Sequence, residues 1–198
     1  MRAAGALFAL AASVAALGHE VLASSTPTAS SAPTATAPVA TASAEPRGPL
    51  GGGDGALPDG TTVFDDPPGI ANLDPALLDA LRRAAAQAGY DGVEFVVDSG
   101  WRSAEYQRRL HQQAVLKYGS EEEAARWVAT PTTSAHVSGE AVDLGRSAAA
   151  WLAEHGAEYG LCQIYANEPW HYEFRPAAVD SGCPSMYADP TRDPRMRQ

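Results

Sequence analysis

The chain has 198 residues, 45% of them hydrophobic and 19% charged, with 14 basic against 24 acidic side chains and a formal net charge of −10. That length accommodates one ordinary domain with appendages. The acidic balance excludes binding along a phosphate backbone, which draws on clustered Lys and Arg, so no nucleic-acid partner is expected.

The chain begins with Met1-Arg2, an apolar alanine-rich run from Ala3 to Leu17, and the small-residue site Val21-Leu22-Ala23 before Ser24. This is the layout of a secretory signal peptide over residues 1–23. The run is shorter than the roughly 20 residues that cross a bilayer. Cleavage and an extracytoplasmic location are therefore expected, without stable membrane insertion; the alternative is a membrane tether through an uncleaved segment. Residues 24–60 are rich in Ser, Thr, Ala and Pro and then in Gly. They hold too little apolar side chain to offset the entropy of ordering, which predicts a flexible linker. One folded domain is expected over residues 61–198.

Within it, Asp74 and Pro75 form an N-cap and first-turn pair, and Leu77, Leu78 and Leu81 supply the apolar face of a helix that Gly89 ends. Val93 to Val97 has strand composition. A second helix is expected from Ser103 to Tyr118, and Ser120-Glu121-Glu122-Glu123 matches a capping box for a third, running toward Val128. Ala141 to Leu144 reads as a buried strand, Ser147 to His155 as a helix, and Gln163 to Ala166 and His171 to Phe174 as strands. Without a βαβ rhythm, the fold class is α+β: a small antiparallel sheet flanked by helices.

Cys162 and Cys183 are the only cysteines. Neither has the close Cys or His partner of a zinc-finger pattern, and in an exported chain a disulfide between them is favoured over metal binding.

Chemistry concentrates in three short segments: Ser99-Gly100-Trp101-Arg102-Ser103 with Gln107 behind it, Ser134 to Asp143, and Glu168-Pro169-Trp170-His171-Tyr172-Glu173. Two imidazoles and one carboxylate, His136, Asp143 and His171, make a plausible three-ligand zinc set with a coordination position left for water. Such a site acidifies water and polarises a carbonyl. Glu168 is placed to carry the proton, and Arg102 to offer a charged fork to a carboxylate or oxyanion. Pro169 disfavours helix at Glu168, so a bent loop entering a strand is expected there. His111 and His155 read as ordinary structural histidines.

In this order, S-G-W-R-S, S-A-H-V-S-G-E-A-V-D and E-P-W-H, the motifs resemble those of the VanY-type D-alanyl-D-alanine carboxypeptidases, over most of residues 60–178. The family's S-G-[YW]-R-S pattern more often carries Tyr at the position of Trp101. The resemblance implies the α+β fold shared with the Hedgehog signalling domain and one Zn2+ on His136, Asp143 and His171. It also implies Glu168 as general base, and Arg102, Gln107 and Ser134 as substrate contacts. The expected function is removal of the terminal D-Ala from peptidoglycan stem peptides by a monomer. Endopeptidase or L,D-carboxypeptidase action with the same zinc set, and a non-catalytic zinc-bearing wall-binding module, are the alternatives.

Overall fold

In chain order, the helices of the computed structural model are α1 (Pro68–Ala71), α2 (Pro75–Ala88), α3 (Ala104–Tyr118), α4 (Glu121–Ala125), α5 (Ala135–Ser138), α6 (Arg146–His155) and α7 (Ala178–Ser181). The strands are β1 (Val97–Ser99), β2 (Ala141–Leu144), β3 (Leu161–Gln163) and β4 (His171–Phe174). Residues 51–196 are described; the expected signal segment and most of the expected linker lie outside them. Among the described residues no helix is long and apolar enough to cross a membrane.

Asp74 caps α2 by accepting from the amides of Ala76 and Leu77, and Pro75 sits in the first turn, as the sequence predicts. Leu77, Ala80, Leu81, Ala84, Ala85 and Ala88 recur at helical spacing and are all buried. They pack with Ala148, Ala149, Trp151 and Leu152 of α6 and with Val97, Val142, Leu144 and Tyr172 of the sheet. The Tyr172 hydroxyl donates to the Ala149 carbonyl at 2.8 Å, tying β4 to α6. By contrast, the buried positions of α3 are Gln107, His111 and Ala114, a largely polar stripe. That helix faces a cleft rather than an oily core.

The sheet is antiparallel throughout, in the order β1-β2-β4-β3. Side chains alternate between its two faces, so Val142, Leu144 and Tyr172 supply the core while Asp143 and His171 emerge on the other side. Strand β1 advances from Val97, opposite Leu144, to Ser99, opposite Asp143, and so uses two steps against one of β2. This bulge turns Ser99 onto the face of Asp143 instead of that of Val97.

The strand expected at Val93 to Val97 begins only at Val97. Val93 is held by a bond from its amide to the Ala88 carbonyl, and Val96 makes an isolated bridge with Thr62 and accepts from the amide of Gly145, one residue past the end of β2. Likewise Leu161 to Gln163 forms β3, not Gln163 to Ala166; Tyr165 pairs in parallel with Tyr187 instead. The helix after Ser120 stops at Ala125, short of Val128, and Ser120 accepts from the Glu123 amide as expected. The glycine-rich stretch from Gly51 belongs to the folded body: Asp54 accepts from the Ser103 hydroxyl at 2.9 Å, and its carbonyl accepts from the Ser103 amide.

Gly139 ends α5 with φ 79°, and its carbonyl accepts from the Asp74 amide at 2.8 Å. A Cβ there would stand 2.5 Å from the Asn72 carbonyl oxygen. Gly139→Ala should therefore destabilise the protein by more than about 1 kcal/mol, the cost of the left-handed backbone alone, as a lower urea midpoint with unchanged slope. Cys162 and Cys183 form a disulfide with a sequence separation of 21. Replacing both by serine should remove about 3 kcal/mol of stability, the loop-closure entropy of such a ring, read in the same experiment.

Candidate active site

Asp143 on β2 and His171 on β4 are direct cross-strand partners. That register places the Asp143 Oδ1 oxygen 3.1 Å from His171 Nδ1 and 3.3 Å from His136 Nε2. His136 arrives from α5, a single helical turn with Ala135 and His136 buried, which no periodicity in the sequence announces. Its Nδ1 lies 2.8 Å from the Gly100 carbonyl, which accepts the ring proton and leaves Nε2 to face Asp143. The two imidazoles meet edge to face, with centroids 5.1 Å apart. One donor atom from each of His136, Asp143 and His171 falls within 4.8 Å of the others, and among the described residues only this trio forms such a group.

Arg102 follows β1 and is held on three sides. Its Nε donates to Ser99 Oγ at 2.7 Å, one terminal nitrogen to Gln107 Oε1 at 3.0 Å, and the other to Asp143 Oδ2 at 2.6 Å. Gln107 donates in turn to the Ala129 carbonyl. Three of the five guanidinium donors are thus used in fixing the group, and two remain for a ligand. Ser134 is buried at the N-terminus of α5 without capping it.

Glu168 sits in the turn before β4, where the His171 amide donates to the Glu168 carbonyl. Its Oε2 is 3.8 Å from His171 Nδ1, and its buried Oε1 has no hydrogen-bond partner. Burial pushes this carboxyl up to about 7, against the pull of His171. Such a group gains or releases a proton near neutrality.

Burial and the nearby Arg102 lower the pKa of His136 and favour the neutral imidazole that a metal requires. Burial opposes ionisation of Asp143, but the two histidines and Arg102 hold it well below the usual carboxylate range. Burial would also lower His171, yet its bonds to Asp143 and Glu173 outweigh that and raise it to about 9. The acidic neighbours therefore favour positive charge where the three donors converge. Two nitrogens, one carboxylate oxygen and an unsatisfied carboxylate beside them suit a divalent cation such as zinc.

These groups lie in one cleft of about 350 Å3, whose walls include Tyr118, Trp127 and Trp170. Tyr118 and Trp127 stack with centroids 5.8 Å apart. Every site residue singled out from the sequence other than the disulfide cysteines lines this cleft. His111, 3.9 Å from Glu121, and His155, packed on the Trp151 ring, stand outside it.

The family model described as VanY, D-alanyl-D-alanine carboxypeptidase, matches residues 71–177, more than half of the chain. The chain belongs to the VanY family. It is 32% identical over 128 residues to a D-alanyl-D-alanine carboxypeptidase of Enterococcus faecalis, covering 52% of this chain and 46% of that protein. The match thus spans about half of the relative's length. Among solved structures it is similar to a variant of the vancomycin-resistance D,D-pentapeptidase VanY from a VanB-type cassette, in complex with Zn(II). That match has a TM-score of 0.52 at 28% identity and covers 58% of this chain and 80% of the other. VanYB in complex with D-alanine-D-alanine matches with a TM-score of 0.51 at 28% identity, over 56% and 74% of the two chains. The α+β architecture is that of these peptidases.

Two polar groups of this VanY-family site escaped the sequence reading. Ser99 lay inside a recognised motif without a role, because the bulge that turns it toward Arg102 leaves no mark in strand periodicity. Glu173 is completely buried, and its Oε1 lies 3.3 Å from His171 Nε2. Here a signal was available: His171 and Glu173 are two apart on a strand and must share a face.

Proposed function

We propose that this protein is a zinc-dependent D-alanyl-D-alanine carboxypeptidase, exported from the cytoplasm, which removes the terminal D-Ala from peptidoglycan stem peptides. The observation that carries this reading is the buried carboxyl of Glu168, whose Oε1 lacks a hydrogen-bond partner, beside the converging donors of His136, Asp143 and His171, with the Arg102 guanidinium in the same cleft. Family membership and the similarity to a Zn(II)-bound and a D-Ala-D-Ala-bound peptidase support it.

A zinc ion held by His136 Nε2, Asp143 and His171 Nδ1 would supply Lewis-acid polarisation and water of lowered pKa. Glu168 takes the proton of the water that attacks the substrate carbonyl. After the C–N bond of the tetrahedral intermediate breaks, the same carboxyl returns that proton to the departing amine. Arg102, kept rigid by Ser99, Gln107 and Asp143, presents its two remaining N–H groups to the terminal carboxylate or to the developing oxyanion. Gln107 and Ser134 complete the polar contacts around the leaving residue. Export rests on the signal-like residues 1–23.

The test is incubation of the full mature chain with defined muropeptides, with products read by mass. Loss of one alanine from a pentapeptide, abolished by a chelator and restored by zinc, is the expected result. Cleavage inside the stem would replace this reading with an endopeptidase, and loss of D-Ala from tetrapeptides alone with an L,D-carboxypeptidase. Activity that survives chelation would end the zinc mechanism.

A further inference from the structure

Glu173 has no exposed surface, yet it is ringed by charge. Its Oε1 faces His171 Nε2, and Arg195 grips both oxygens, at 2.7 Å to Oε2 and 3.2 Å to Oε1. Arg175 adds a second guanidinium on Oε2. Arg195 is itself fixed by Asp193, which accepts from the Tyr165 hydroxyl at 3.0 Å, and the Tyr165 ring packs 5.2 Å from that of His171.

The segment that carries Arg195 is anchored beside this group. Cys183 is bonded to Cys162, the cross-strand partner of Glu173, and Tyr187 pairs with Tyr165. Arg126 reaches Asp189 at 3.3 Å. The C-terminal segment thus presses a cation onto the far side of a carboxylate whose near side meets a candidate metal ligand.

A neutral imidazole carries one proton. A carboxylate at Nε2 accepts it there, and the lone pair of Nδ1 then faces Asp143 and the candidate ion. We propose that Glu173, clamped by Arg195, is a positioning residue that fixes the His171 proton on Nε2 and so keeps Nδ1 ready to bind the metal. This inference rests on the reading of His136, Asp143 and His171 as a zinc site, and it makes the C-terminal segment part of that site.

Zinc affinity of the full chain, measured by competition with a chromophoric chelator, tests it. Glu173→Met keeps the side-chain volume but has no acceptor for the ring proton, and zinc should bind about 10–100-fold more weakly, the usual effect of losing such a partner. Glu173→Gln retains an oxygen acceptor and should fall between Met and wild type. Arg195 is 40% exposed, and without it Arg175 still pairs with Glu173 and the Tyr165 hydroxyl with Asp193, so Arg195→Ala is the milder variant. It should weaken zinc several-fold while leaving KM of the zinc-saturated enzyme unchanged. Urea melts of the zinc-free proteins separate folding from affinity. If wild type binds zinc and all three variants bind within twofold of it, or if Gln and Met are weakened equally, the positioning role is wrong. If wild type binds no zinc, the metal-site reading itself fails.

Discussion

Glu168→Gln should lower kcat for release of D-alanine by about 10²–10⁴-fold, the usual contribution of a positioned acid-base group, with zinc content and KM little changed. Gln fills the same volume and still offers an oxygen at the buried position that lacks a partner, but it cannot accept and return a proton. Because Glu168 already sits without compensation at Oε1, removing its charge should leave stability equal or slightly higher. Steady-state kinetics with a D-Ala-D-Ala-ended peptide and zinc analysis of the same sample measure both sides. A Gln variant within tenfold of wild type would remove Glu168 from the proton path.

Asp143→Ala should abolish activity and metal binding together, and should also cost the zinc-free protein about 3 kcal/mol. Asp143 and Arg102 form a buried pair, with side chains 13% and 12% exposed. Deleting the acid leaves the guanidinium and two imidazoles without their shared anion, and removal of one partner from a buried pair costs about 3–5 kcal/mol. Arg102 keeps Ser99 and Gln107, so the lower end applies. His136→Ala separates the two effects. It should lose zinc equally while leaving the Asp143–Arg102 pair intact, and its zinc-free melt should lie above that of Asp143→Ala. Equal melts for the two variants would show that Asp143 acts only as a metal donor.

Much of this geometry was legible because the chemistry is carried by side chains whose type and order are unusual. Asp74 and Pro75 announced α2, and strands β2 and β4 have the bounds their composition predicts. Less legible were features that depend on distant partners. Val93 to Val96 has strand composition but finds no neighbouring strand, and Asp54 and Gly55 look like linker until Ser103 and Trp101 are brought against them. Glu173 shares a strand face with His171, but its burial depends on distant partners. Arg175 and the return of the chain to Arg195 together make its burial tolerable, and no local pattern encodes that return.

The pairing of Asp143 opposite His171 carries a consequence for how the protein folds. A slip of one residue between β2 and β4 would turn one of these two side chains to the opposite face and leave no site at all. Binding of the proposed zinc would therefore read out correct assembly: only the properly zipped sheet brings the donors of Asp143 and His171 together, and misaligned chains would gain nothing from the ion. At a free zinc concentration a hundred times the dissociation constant, the ion would favour the right register by about 2.7 kcal/mol. Backbone amides of the central strands should then exchange with solvent more slowly when zinc is present.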